Sequence, residues 1–83
     1  MRGRIVDVNY QRDLAIFEDA TGDYGCLEML ESDNLEKDDI ILGDLNCTGR
    51  QIITKLRTGK SYKVFIEDFG MSLEIARRYV FPD

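Results

Sequence analysis

Eighty-three residues, 43% of them hydrophobic and only one of them Pro, suit a single folded domain with a small core and exclude a disordered chain. No apolar run approaches the roughly 18 residues that a membrane-spanning helix needs. With no His and only two separated cysteines, Ser-His and Cys-His nucleophiles are excluded and a structural zinc site is disfavoured.

The net charge of −5 is unevenly distributed. Residues 1–49 carry four basic and twelve acidic groups, whereas residues 50–83 carry seven basic and four acidic. The acidic half argues against a surface that binds nucleic acid all round, since phosphate contacts are made mainly by Lys and Arg. The stretch Met1–Asp7 holds no hydrophobic signal core, so a soluble, cytoplasmic protein is expected. Cys26 and Cys47 are expected as reduced thiols; a disulfide between them is the alternative that counting leaves open.

The chain begins with a β-branched run, Gly3–Tyr10, in which Val6, Val8 and Tyr10 alternate with Asp7 and Asn9. That alternation predicts a half-buried strand. Gln11–Asp13 is a short polar connection. A second strand is expected over Leu14–Asp19 and a third from about Tyr24 to Leu30. Between them Ala20–Asp23 forms an acidic turn, with Gly22 suited to positive φ. Glu31–Asp39 is polar and acidic, with Leu35 as its one apolar anchor, and reads as a solvated loop. A divalent-ion site there does not match the calcium-loop spacing.

A fourth strand is expected over Asp39–Leu45, bent at Gly43. Asn46–Arg50 is a turn or loop. Gln51–Arg57 meets the core through Ile52, Ile53 and Leu56, either as a short strand or as a helical turn. After the turn Thr58–Lys60, Ser61–Glu67 gives the clearest alternation, with Tyr62, Val64 and Ile66 on one face. The pattern then changes to helical spacing. Ser72 is a good N-cap, Glu74 lies in the first turn, Leu73, Ala76 and Val80 share a face, and Arg77 and Arg78 lie near the end. A helix over about Ser72–Tyr79 is expected, stopped before Pro82.

These elements predict one domain over residues 1–83. It is a mainly β, five-stranded antiparallel barrel of the oligonucleotide/oligosaccharide-binding type over 1–70, with a helix over 71–81. Gly3-Arg-Ile5, Asn9, Leu14–Glu18 and Gly22-Asp23 resemble the opening of cold-shock domains, over roughly residues 2–30. The remainder is similar to small bacterial proteins with a cold-shock-like beginning. The resemblance implies a small barrel, and it implies bases stacking on aromatics of the first three strands. Here Asp7 stands at the place of a Trp, Leu14 and Ile16 at the places of two Phe, and Gly25 and Leu27 in the region of a Phe and a His. Each stacked base contributes about 1–3 kcal/mol, so most of that affinity is not expected here.

What remains is an apolar patch of Leu14, Ile16 and Leu27 beside Asp7 as a candidate interaction face. Either the terminal helix or a second copy covers it, or the register is shifted by one residue and all three enter the core. Neither the carboxylates flanking the turns nor the Gly59-Lys60-Ser61 triplet forms a recognisable catalytic or phosphate-binding motif. No catalytic residue, metal or cofactor is therefore assigned. The leading expectation is a non-catalytic module that binds a protein or itself as a homodimer. The alternative is weak single-stranded nucleic-acid binding by the basic cluster Arg50, Lys55, Arg57, Lys60 and Lys63.

Overall fold

The computed structural model describes residues 1–31 and 35–82. Its strands are β1 (Arg2–Asn9), β2 (Leu14–Glu18), β3 (Tyr24–Met29), β4 (Ile40–Leu42), β5 (Gly49–Lys55) and β6 (Ser61–Met71), followed by α1 (Leu73–Val80). They close into an antiparallel barrel in the order β1-β2-β3-β6-β5-β4, with β4 returning to β1. The expected mainly β barrel with a terminal helix is present, with six strands rather than five. Among the described residues no helix is long and apolar enough to cross a membrane.

The additional strand is β5, which takes in most of the segment 51–57 that sequence left between strand and helical turn. As a helical turn, Ile52, Ile53 and Leu56 could all face the core. As β5, Ile52 and Ile53 must point to opposite faces, and Leu56 lies past the end of the strand. Ile53 is fully buried, whereas Ile52 is 65% exposed and Leu56 is also exposed. The expected core contact holds for Ile53 alone.

The alternation expected in β1 is also interrupted. Ile5 pairs with Phe17 and Asp7 with Ile16, so Val6 forms a bulge. Ile5 and Val8 pack in the barrel interior, while Val6 packs outside, against α1. The last strand continues four residues beyond the expected Glu67, and its end at Met71 pairs with Tyr24 of β3.

Two apolar clusters result. The interior one is built on Phe17, Ile5, Leu27, Ile41, Ile53 and Ile66. Gly25 makes room for its largest member: a Cβ there would lie 2.3 Å from Phe17 Cζ and 2.7 Å from the Asp68 carbonyl oxygen. Leu35 is buried in the same core, and its carbonyl accepts from the Tyr10 hydroxyl at 2.8 Å. The acidic stretch is thus pinned at Leu35, while residues 32–34 of the expected solvated loop lie outside the described residues. The second cluster lies outside the barrel, where Val6, Leu14, Ile16 and Cys26 meet Ala76 and Val80.

Candidate interaction surface

Helix α1 begins where sequence placed it. The Ser72 hydroxyl accepts from the Ile75 N–H at 3.2 Å, Glu74 occupies the first turn and Arg77 and Arg78 the last. The helix lies across the outer face of β1–β3. Asn9 Nδ2 donates to the Val80 carbonyl at 2.7 Å, and the Arg77 guanidinium donates to Asp7 Oδ2 at 3.1 Å. Leu14 and Ile16 are buried beneath it, and Asp7 is held at its edge.

Leu27 is not with them. It pairs with Ala15, while Ile16 pairs with Cys26 and Leu14 with Glu28. Neighbours in register share a face, so Leu27 enters the interior while Leu14, Ile16 and Cys26 stay outside. The four-residue patch is therefore divided between the two faces of the sheet. Three of its members do adjoin, but beneath the chain's own helix.

The basic cluster also separates. Lys55 is 3% exposed, 3.9 Å from Asp39 Oδ2 and 5.2 Å from the centre of the Tyr62 ring. It cannot reach a phosphate backbone from there. Arg57 is committed to Asp39 at 2.9 Å and to Glu36 at 2.7 Å. Burial raises the Asp39 carboxyl, but the Arg57 hydrogen bonds, the Glu36 N–H and the charges of Arg57 and Lys55 outweigh it and hold it below the usual carboxylate range. The two loops at this end of the barrel are clamped together by that arrangement. Arg50, Lys60 and Lys63 remain exposed, and their side chains make no ion pair among the described residues.

Arg50 and Lys63 line a shallow groove of about 590 Å³ together with Leu30, Asp44, Gln51 and Ile52. Register builds this surface: Ile52 pairs with Lys63, Arg50 with Phe65, and the Leu30 N–H donates to the Lys63 carbonyl at 3.3 Å. Leu30 is 43% exposed, and Leu42 of the neighbouring strand is exposed as well. Sequence reasoning missed Leu30, Asp44, Gln51 and Ile52 as surface residues. The signal was present in Ile52-Ile53: two adjacent β-branched residues in a strand must point to opposite faces.

Both cysteines are free. Cys26 is buried beneath α1, where burial and then the charges of Asp68 and Glu67 push its thiol up to about 12. Cys47 is exposed in the loop before β5. Compared with family models, with curated proteins and with solved structures, the chain matches none.

Proposed function

We propose that the protein is a non-catalytic interaction module that receives a polypeptide on the outer face of β5 and β6. The observation that carries this reading is Ile52, mid-strand and 65% exposed, beside an exposed Leu30 in a groove. A β-branched aliphatic residue left in water at the centre of a sheet gains from being covered. The face over β1–β3, expected from the sequence as the docking surface, is already covered by α1.

Single-stranded nucleic acid is the weaker reading. With Lys55 buried and Arg57 paired, the basic cluster offers three exposed cations, and the centre of the surface is aliphatic rather than aromatic. A photo-crosslinking amino acid placed at position 52 tests the assignment in cells that make the protein, with position 75 on the exposed side of α1 as the control. Polypeptide adducts formed at 52 and not at 75 are expected, including adducts to a second copy if the module self-associates. Adducts to nucleic acid alone, or equal labelling at both positions, would refute the assignment.

A further inference from the structure

We propose that the segment received on this face is acidic and aliphatic: an extended stretch of a partner protein that presents a Leu, Ile or Val between carboxylates. This inference rests on the interaction reading above and names the chemistry of its partner.

Most cations of the described residues are already held by a partner within the chain. Arg4 pairs with Glu18 and Asp38, Arg57 with Asp39 and Glu36, Arg77 with Asp7, and Arg78 with Glu74. The Arg12 guanidinium donates to the Tyr79 carbonyl, and Lys55 is buried beside Asp39. Of the cations left without such a partner among the described residues, Arg2, Arg50 and Lys63 lie on the contiguous strands β1, β4, β5 and β6, with Lys60 in the turn that joins β5 to β6. In a chain of net charge −5, Arg50, Lys60 and Lys63 thus put three cations without an ion pair among the described residues on β5, β6 and the turn that joins them.

Carboxylates are few beside Ile52 itself, although Glu67 of β6 shares the outer face with Lys63 and Phe65, and Glu28 of β3 lies cross-strand from Phe65. Strands β4 (IIL) and β5 (GRQIITK) contain none. The Glu31 carboxylate at the β3 end accepts from the Lys63 N–H at 2.6 Å. Asp44 is the one acid lining the groove. Ile52 therefore sits between two cations, cross-strand from Lys63 and two residues along from Arg50. A partner side chain covering Ile52 and Leu30 excludes water there, which strengthens the attraction of flanking carboxylates for Arg50 and Lys63. Asp44 opposes a carboxylate at its own end of the groove. A contact this small is transient and salt-sensitive.

Fluorescence anisotropy with four labelled probes tests the inference. They are a short peptide alternating Glu with Leu and Ile, its twin with Lys for Glu, its twin with Ser for the aliphatic residues, and an oligothymidylate. The acidic aliphatic peptide is expected to bind, and to weaken about tenfold or more with either change in the peptide, with rising salt, with Ile52→Ser, or with Arg50→Glu combined with Lys63→Glu. Lys37→Glu, in the turn before β4, should leave binding unchanged, and circular dichroism shows whether each variant keeps its fold. Equal binding of the Lys twin, or tighter binding of the oligothymidylate, would overturn the inference. If no peptide binds while position 52 still crosslinks to protein, the acidic partner is rejected and the interaction reading stands.

Discussion

Single side chains set local stability here through what they touch inside the barrel wall. Asp39 is the clearest case, because its side chain and that of Lys55 are each 4% exposed and face each other. Removing one member of a buried pair leaves the other charge uncompensated, so Asp39→Asn is expected to cost about 3 kcal/mol in chemical denaturation. The exposed Arg57 arm adds less, since water screens it. The folded-state carboxyl lies below its unfolded value of about 3.9. Its contribution is therefore complete above about pH 4 and is lost as pH falls through the folded value. The stability difference between wild type and Asp39→Asn should be flat from neutral pH to about pH 4 and narrow below it; a difference that grows on acidification contradicts the clamp.

Gly25 acts through space rather than charge. A methyl group placed there meets the ring of the fully buried Phe17 and the backbone carbonyl of Asp68. Gly25→Ala is expected to cost about 1–3 kcal/mol. Combining it with Phe17→Leu should recover part of that loss, and strictly additive losses in the double mutant would show that the ring is not the obstacle.

The element that most changes the molecule's exterior is α1. It is eight residues long and would be marginal in isolation, so its helicity depends on docking. Ala76 and Val80 close over Val6, Leu14, Ile16 and Cys26, and the fully buried Val80 and Ile16 side chains each contribute about 1.5–3 kcal/mol. Cys26 reports this docking directly. In the native protein a thiol reagent should label Cys47 quickly and Cys26 hardly at all, because burial both hides the sulfur and keeps it protonated. Ala76→Glu, which places a charge in the contact, should raise the Cys26 labelling rate severalfold while the far-ultraviolet strand signal persists. Truncation after Gly70 should do the same and lower stability. Unchanged Cys26 labelling in both variants would mean that α1 does not shield that face.

At the scale of the whole molecule, barrel closure separates an interior, an outer face beneath α1, and an open outer face that includes β5 and β6. Among the described residues no strand is left as a long unpaired edge, so partners meet side chains rather than backbone. This is why the proposed recognition is one of shape and charge around Ile52, and why it should respond to salt.

Much of this was legible from the chain alone. The strands of the meander, the turn at Gly22 with its φ of +92°, the inward face of Tyr62, Val64 and Ile66, and the Ser72 cap all follow from period, propensity and local hydrogen bonding. These are properties of neighbouring residues, and local sequence encodes them. Only the tertiary structure decided which face each apolar residue meets: the bulge at Val6, the separation of Leu27 from Leu14 and Ile16, the burial of Lys55 and the exposure of Ile52. In a sheet a shift of one residue reverses inside and outside, and the register that fixes it is set by strands far apart in sequence.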